Sequence, residues 1–253
     1  MKKKKIFNYW NLRAKKKTLK CTNDKFLEIS EIKHIVSIVK KKSRVLDVGC
    51  GDGALLRALK KKLNIDGVGI DFSKELIHEA KKKSNNIKFY CEDMTNISNL
   101  KNISKNKFDY IITKRSIQNL TSWNDQKKFI NQLNVFCKKK TSILFFESSS
   151  TALSKINNFR KTLNLQKIIK PWHNLYLDDN KIINCKYKKI KLIKIQELFS
   201  TYYFLSRVIN AYQNELNMLP SKYDDDLNLL GWKLPQDTTK GFSQLKLYQF
   251  KLR

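Results

Sequence analysis

The residues with the clearest chemical pattern lie between positions 47 and 53, which read DVGCGDG. Five of the seven glycines in the chain fall between positions 49 and 69. Glycine tolerates a positive φ angle and lets a ligand come close to the backbone, so this spacing predicts a ligand-binding loop between a strand and a helix. Taken alone, the pattern Gly49, Gly51, Ala54 also fits the loop of a dinucleotide-binding site.

Three acidic residues stand at the ends of predicted strands around this loop. Asp47 precedes the first glycine by two residues, where it can orient the loop or bind a cationic amino group, since a buried acid needs such a partner. Asp71 lies twenty residues beyond Gly51, where a carboxylate can accept both hydroxyl protons of a ribose. Asp93 and Met94 close the third strand, where an acid can accept from an adenine amino group while the apolar side chain packs on the base.

Polar residues also follow the fourth and fifth predicted strands. Arg115 and Asn119 lie among apolar residues after the fourth strand, and buried polar groups need partners. Residues 170–178 follow the fifth strand and one helix, and they combine a base, an amide and two aromatic rings that can form a pocket. The residues concerned are Trp172, His173, Asn174 and Tyr176.

The elements that must position these residues alternate between strands and helices. Short apolar runs predict the strands, and apolar residues at helical spacing predict the helices between them. This alternation indicates a parallel sheet that is covered by helices on both faces. The predicted strands are residues 44–48, 67–71, 87–91, 108–113, 141–147, 187–195 and 245–250, and the predicted helices are residues 22–42, 54–63, 73–83, 124–137, 151–165 and 197–217.

Four segments, in this order and at this spacing, resemble the motifs of class I S-adenosylmethionine-dependent methyltransferases: residues 45–53, 69–73, 91–94 and 108–112. The resemblance covers residues 44 to about 147. It implies an α/β fold with a doubly wound, mostly parallel seven-stranded sheet whose last strand is antiparallel. The cofactor would lie across the carboxyl ends of the first strands, as expected for open α/β sheets.

The resemblance implies S-adenosylmethionine as the cofactor, with its methionine part at the glycine loop, its ribose at Asp71 and its adenine at Asp93 and Met94. Residues 9–14 are similar to W-x-x-R-A openings that cover the cofactor as a lid in some methyltransferases, although these aromatic residues also suit simple packing on the core. The expected cofactor-binding residues are Asp47, Gly49, Cys50, Gly51, Asp71, Phe72, Asp93, Met94 and Arg115, with Tyr9 and Arg13 from the lid.

The acceptor is expected beyond the fifth strand, where this fold commonly binds its substrate. A hydroxyl acceptor needs a base, which His173 can provide and which Glu147 can provide if its pocket raises its pKa. The alternative role for His173 is to anchor its loop against Asp178 or a backbone carbonyl. The expected substrate residues are Trp172, Asn174, Tyr176, Asn119, Tyr202 and Tyr203, and no metal is expected.

Composition leaves three functions open. The net charge of +30 favours RNA as the acceptor, but only seven of the 52 cations are arginine, so much of the charge is interpreted as compositional. The residues after the fourth strand and at 123–126 are weakly similar to methyltransferases of sugar and surface-polysaccharide genes, which favours a small polar metabolite such as a sugar or amino sugar. A protein that keeps the fold but only binds a partner is the third hypothesis.

The remaining sequence features concern organisation and location. One domain is expected over residues 1–253, with a lid and helix at 1–43, a cofactor core at 44–150, substrate-side insertions at 151–240 and the last strand at 241–253. The five cysteines, including Cys21, form no CxxC pair, and no apolar run approaches membrane length. These features indicate a cytoplasmic protein with reduced thiols. The oligomeric state is left open.

Overall fold

The computed structural model describes residues 2–15, 23–100, 103, 105–220 and 222–253. Cys21 and the candidate capping residue Thr22 lie outside these described residues. Within them, seven strands and ten α-helices follow one another along the chain. The strands are β1 (Arg44–Val48), β2 (Asp66–Asp71), β3 (Lys88–Cys91), β4 (Phe108–Lys114), β5 (Cys137–Ser148), β6 (Ile190–Glu197) and β7 (Leu245–Leu252). The helices are α1 (Lys2–Lys15), α2 (Lys25–Ile38), α3 (Ala54–Leu63), α4 (Lys74–Lys82), α5 (Trp123–Gln132), α6 (Ser150–Thr162), α7 (Asp179–Asn184), α8 (Ser200–Phe204), α9 (Asn210–Leu216) and α10 (Asp226–Lys233).

All seven strands form one sheet in the order β3-β2-β1-β4-β5-β7-β6. The pairs along β3-β2-β1-β4-β5 are parallel, and β7 runs antiparallel to both β5 and β6. This confirms the expected doubly wound sheet with an antiparallel last strand. The chain reverses its direction of travel across the sheet between β1 and β4, and ligands bind at such a switch point in open α/β sheets.

The sheet is buried on both faces because helices cover each of them. Alternate residues of a strand point to opposite faces. In β1, Leu46 and Val48 enter one hydrophobic cluster while Val45 enters the other, and in β5 the neighbours Phe145 and Phe146 divide in the same way. These side chains are at most 1% exposed. The short apolar runs in the sequence therefore form buried strands, as predicted.

Two predicted helices differ from the observed ones, and the first observed helix was missed. The helix expected from residue 124 to residue 137 ends at Gln132, because Cys137 already begins β5. The helix expected over residues 197–217 is interrupted by a π-helical turn, Leu205–Ile209, between α8 and α9. The helix α1 was not predicted, because its first turn holds lysines and no acid, which is unfavourable at the positive end of the helix dipole.

Candidate functional site

A cavity of about 420 Å³ lies at the carboxyl ends of the parallel strands, at the switch point between β1 and β4. The glycine loop and the end of β2 form one end of this cavity, which we call the loop end. The segment that follows β5, the helix α2 and the π-helical turn form the other, which we call the acceptor end. Residues of α1 line the cavity as well, so helices from distant parts of the chain complete it.

The glycine loop has the left-handed backbone that its composition predicts. The φ angles of Gly49 and Gly51 are 78° and 56°. A Cβ atom added at Gly49 would lie 2.2 Å from the Cβ atom of Ser116, so a side chain there would collide with the loop after β4. Glycine is therefore required at position 49 both for its φ angle and for the close approach of the two loops.

Asp71 at the end of β2 supports the glycine loop directly. Its Oδ2 atom accepts a hydrogen bond from the backbone N–H of Gly51 at 2.9 Å, and its Oδ1 atom accepts one from the N–H of Ser73 at 2.9 Å. Burial raises the pKa of Asp71 to about 6, although these bonds favour its charged form. Asp71 lines the cavity, and its carboxylate, with about four lone-pair sites, can accept a further hydrogen bond from a ligand.

Asp47 is the residue at the loop end with an unsatisfied polar atom. It is 2% exposed, and its Oδ1 atom has no hydrogen-bond partner within the described part of the chain. Burial raises the pKa of Asp47 to about 7, which the charge of Lys114 opposes and that of Asp71 assists. A buried oxygen without a partner on a cavity wall is a place for a ligand that donates a hydrogen bond, above all a cationic one.

The helix α1 lies across the cavity and is fixed at both sides of it. The Nε1 atom of Trp10 donates to the Oδ1 atom of Asn119 at 3.1 Å, in the loop after β4. On the other side, the hydroxyl of Ser73 donates to the Oδ1 atom of Asn11 at 2.6 Å. Tyr9 and Arg13 line the cavity, in agreement with the lid interpretation of this segment, which is helical rather than an extended opening.

Asp93 and Met94 are neighbours in the chain, but their side chains make different contacts. Met94 lines the cavity together with Cys50 and Phe72. The carboxylate of Asp93 instead accepts from the backbone N–H of Thr95 at 2.8 Å and pairs with Lys3 of α1 at 2.7 Å. These contacts make Asp93 the N-terminal cap of the short helix Met94–Asn99 and a fixing point for α1.

Glu147 is fully buried at the end of β5. Its carboxylate accepts from the backbone N–H groups of Ser116 and Ile117 at 3.0 Å each, and from that of Gln118 at 3.4 Å. Burial raises its pKa to about 7, as the expectation of a base required. However, its oxygens face the loop after β4 rather than the cavity, among the residues that the structure describes. The contacts therefore correct the expectation of a base and favour a positioning role for Glu147.

His173, Asn174 and Tyr176 all line the acceptor end, as the sequence pattern predicts. His173 is 7% exposed and stacks on the ring of Tyr9 with a centroid distance of 4.4 Å. Burial and then the charge of Arg13 lower the pKa of His173, which favours its neutral imidazole. Its Nδ1 atom has no hydrogen-bond partner among the described residues, and the expected anchor Asp178 caps α7 instead.

Two of the expected substrate residues lie elsewhere. Trp172 is 54% exposed, and it contacts Tyr9 and His173 from the outside. Tyr202 is 1% exposed, and its hydroxyl donates to Asp24 at 2.6 Å within the protein core. Tyr203 and Asn119 do line the cavity. Sequence position alone does not separate Tyr202 from Tyr203, because adjacent residues of a helix point in different directions.

A charged cluster lies at the acceptor end, and the sequence indicated Arg115 there but not the ion pairs of this cluster. Arg207 pairs with Asp24 at 2.5 Å, and Arg115 pairs with the fully buried Glu31 at 2.8 Å. Arg115 has a φ angle of 55°, which is rare for a residue with a side chain and orients it from the end of β4. The partners Asp24 and Arg207 are 183 residues apart, and neither belongs to a local motif that could have indicated the contact.

Among the described residues, no group of three or more His, Cys, Asp and Glu side chains is arranged to hold a metal ion. No helix in the described part of the chain combines the length and the apolar character that are needed to cross a membrane.

Comparison with known proteins gives a consistent family. A family model described as a methyltransferase domain matches residues 39–204. No curated protein sequence matches the chain. The comparisons do not show the expected similarity to enzymes of sugar and surface-polysaccharide genes.

Solved structures resemble the whole fold at low sequence identity. The TehB-like S-adenosylmethionine-dependent methyltransferase from Corynebacterium glutamicum is 12% identical, with a TM-score of 0.54 and coverage of 100% of this chain and 98% of that one. The N-methyltransferase NodS from Bradyrhizobium japonicum, in complex with S-adenosylhomocysteine, is 10% identical, with a TM-score of 0.58 and coverage of 98% of both chains. Magnesium protoporphyrin IX methyltransferase from Synechocystis, with bound S-adenosylmethionine, is 12% identical, with a TM-score of 0.53 and coverage of 100% and 97%.

Proposed function

Because the chain belongs to the methyltransferase domain family, whose cofactor is S-adenosylmethionine, we propose that it methylates a nitrogen or oxygen atom of a small polar acceptor. The observation that carries this proposal is the continuous cavity of about 420 Å³ that joins the glycine loop to the segment of His173. Cavities of roughly 300 to 1,000 Å³ are typical of small-molecule sites. The cavity therefore suits a methyl donor at its loop end and a small acceptor at the other.

The residues of the loop end fit the cofactor. The oxygen of Asp47 without a partner suits the amino group of the methionine part, and the backbone at Gly51 can approach it closely. The carboxylate of Asp71 has free lone pairs for the ribose hydroxyls. Met94 and Phe72 supply apolar surface for the adenine. These roles follow those implied by the resemblance of the sequence motifs, except that Asp93, which pairs with Lys3 and caps a helix, is not assigned to the adenine.

S-adenosylmethionine, when bound, supplies a methyl group on a positively charged sulfur that is already activated for displacement. The residues of the chain then have to orient the acceptor and exclude water. The helix α1 covers the cavity with Tyr9 and Trp10. The neutral imidazole of His173 is available to accept a proton from a hydroxyl acceptor, whereas an amine that arrives neutral needs no base.

For the acceptor we propose a sugar or an amino sugar. The acceptor end presents amide and imidazole groups that hydrogen-bond hydroxyl and amino groups well. The Oε1 atom of Gln118 and the Oδ1 atom of Asn174 are buried without partners in the described part of the chain, and both residues line the cavity. Polar groups at fixed positions on a partly apolar wall are typical of sites for small polar ligands.

RNA is the weaker candidate for the acceptor. Of the lysines in the described ranges, Lys114 alone lines the cavity, so the charge that favours RNA lies mainly on other surfaces. Binding of RNA through such surfaces should be nonspecific and should weaken steeply as salt is added, since it depends on counterion release. We expect no methyl transfer to RNA.

A cytoplasmic location completes the proposal. The cysteines within the described residues, Cys50, Cys91, Cys137 and Cys185, are free thiols. Free thiols persist in a reducing compartment. Cell fractionation with an antibody to the chain would test this location.

Calorimetry with S-adenosylhomocysteine tests the cofactor assignment. The variant Gly51→Val should bind at least tenfold more weakly, because a branched side chain is strained at a φ angle of 56° and blocks the approach of the ligand. Gly241→Val is the matched control, since Gly241 has a φ angle of 87° with no atom within 4 Å of an added Cβ in the described structure. Equal affinity of both variants and the wild type would refute the assignment.

The acceptor class is tested with labelled S-adenosylmethionine. Extracts that contain small metabolites should accept the label, and treatment with RNase should leave the incorporation unchanged. Purified amino sugars and neutral sugars then separate transfer to nitrogen from transfer to oxygen. Incorporation that disappears with RNase would establish the RNA hypothesis instead.

A further inference from the structure

The arginines of this chain are concentrated around the cavity. The chain has 45 lysines and only seven arginines. Three of the seven, Arg13, Arg115 and Arg207, line the cavity, whereas Lys114 is the one lysine that does so in the part of the chain described. Lysine is the usual cation of this sequence, so arginine at three positions of one cavity indicates a need for the planar guanidinium group. That group binds carboxylates and phosphates with two parallel hydrogen bonds.

Arg207 is held in place before any ligand binds. Its guanidinium carbon lies 5.4 to 5.8 Å from the ring centres of Tyr202, Tyr203 and Tyr223. It sits in the π-helical turn Leu205–Ile209, and Arg160 donates to its backbone carbonyl. Such turns are frequent at functional sites. A side chain that is fixed in this way loses little entropy when it binds a ligand.

Arg13 and Arg207 approach the same part of the acceptor end from different elements. The Nη2 atom of Arg13 donates to Asn23 at 3.4 Å, and the Nη2 atom of Arg207 donates to the next residue, Asp24, at 2.5 Å. Arg13 comes from α1, which covers the cavity, and Arg207 comes from its wall. The two guanidinium groups therefore flank the start of α2.

The acceptor end holds cations and carboxylates close together. Cations and carboxylates alternate there, so most of the charge is paired within the protein. Among the described residues the cations are Arg13, Lys114, Arg115 and Arg207, and the carboxylates are Asp24, Glu28 and Glu31. An anionic ligand can accept hydrogen bonds from the guanidinium groups of this end, whereas a cationic ligand cannot.

We propose that the acceptor carries an oxyanionic group, a carboxylate or a phosphate, that binds to Arg207 and to Arg13, which replaces the cofactor contact expected of Arg13 from the sequence, while its reacting nitrogen or oxygen lies beside His173. This inference rests on the proposed function and specifies the substrate class of the same cavity. Binding at two points orients the acceptor, because the anionic group fixes one end and the reacting group is directed to the other.

Thermal unfolding of the protein saturated with S-adenosylhomocysteine tests the proposal. Inorganic phosphate and acetate, each compared with chloride at constant ionic strength, are the probes. At a concentration of roughly ten times its dissociation constant, the bound anion should raise the Tm by about 3 °C. A larger shift with phosphate than with acetate identifies the anion as a phosphate, and the reverse order identifies a carboxylate.

Two arginine variants and one control give the test its specificity. Arg13→Gln and Arg207→Gln should each lose at least half of the shift. Arg253→Gln removes the same charge directly after β7, at the amino ends of the parallel strands and away from the cavity. This variant should keep the full Tm shift. If Arg207→Gln fails to fold, Arg13→Gln still tests the proposal, because Arg13 lies on the covering helix.

The outcomes test the anionic acceptor separately from the proposed function. The absence of a shift in the wild type, or equal shifts in all four proteins, would overturn the anionic acceptor. Calorimetry on the same samples reports cofactor binding independently. If S-adenosylhomocysteine binds while the anion shift is absent, the proposed function stands without this inference, and if it does not bind, the proposed function itself fails.

Discussion

The two ends of the cavity are formed by different kinds of chemical groups. The loop end consists of backbone groups and short side chains between residues 47 and 94, which follow one another along three neighbouring strands. The acceptor end consists of long side chains that come from separate elements, such as α1, α2 and the π-helical turn. A backbone site depends on local conformation, whereas a side-chain cluster depends on the packing of distant segments. The two ends should therefore respond differently to substitution.

The largest effect is expected from Asp71→Ala at the loop end. This substitution removes the acceptor for the Gly51 and Ser73 N–H groups and the proposed partner of the ribose. Cofactor affinity should fall about 100-fold, or about 2.7 kcal/mol, as measured by calorimetry. Asp66→Ala, at the exposed start of the same strand, is the control and should bind normally. Similar losses in both variants would show that the effect is general destabilisation.

The second effect concerns the acceptor end alone. His173→Ala should lower kcat about 30-fold with a hydroxyl acceptor while the affinity for S-adenosylhomocysteine stays within a factor of two. An amine acceptor should lose less, because its reaction needs no base. His173→Gln retains a hydrogen-bonding side chain. If this variant restores both stability and activity, His173 is a structural residue and the two ends are less distinct than proposed.

The third effect links cofactor binding to pH through Asp47. Its pKa of about 7 in the free protein means that binding of a cationic group below pH 7 must first remove a proton. Affinity for S-adenosylhomocysteine should therefore rise about tenfold from pH 6 to pH 8 and then level off. In Asp47→Asn the affinity should be low and nearly constant over this range. A wild-type affinity that does not change with pH would contradict the proposed role of Asp47.

The raised pKa of Asp47 also determines how the stability of the free protein changes with pH. The folded pKa of Asp47 lies above its usual value of 3.8, so its burial costs nothing below pH 4 and destabilises the free protein as pH rises from 4 to 7. Asp47→Asn should accordingly be more stable than the wild type at pH 8 by about 4 kcal/mol. At pH 4 the two proteins should unfold at similar urea concentrations.

The smallest effect is expected where the two ends meet under α1. Trp10→Phe keeps the aromatic ring but removes the hydrogen bond to Asn119. One hydrogen bond of this kind contributes roughly 1 kcal/mol, so cofactor affinity should fall about fivefold. Leu12→Ala is the matched control on the same helix, since Leu12 is 61% exposed. Equal effects of both substitutions would mean that the bond does not hold the helix over the cavity.

The loop end could be predicted from the sequence because the residues that form it are close together along the chain. Gly49, Gly51 and Asp71 need only a strand, a tight loop and the next strand to meet, and the strand pattern is visible as short apolar runs. Both φ angles are those expected of a glycine loop, whereas the hydrogen bonds of Asp71 to the N–H groups of Gly51 and Ser73 were not predicted. The reversal of β7 also followed from the ordered motifs.

Other features could not be predicted because they depend on contacts between remote segments. Glu147 carried a plausible pKa for a base, but the direction of its carboxylate is set by the N–H groups of the loop after β4. The pair of Asp24 and Arg207 joins residues from opposite ends of the chain. The helix α1 exists because the cavity holds it, against an unfavourable charge pattern in its first turn.

That charge pattern has a consequence for turnover. Four consecutive lysines at the positive end of a helix repel one another and the dipole, so α1 has little helical stability of its own. Segments of this kind open at a low free energy without unfolding the rest of the protein. The covering helix should thus exchange its amide protons far faster than β1 or β4, and product escape should be quick. Added salt screens this repulsion, but it also screens the ion pair of Lys3 with Asp93, so its two effects on the opening of α1 oppose each other.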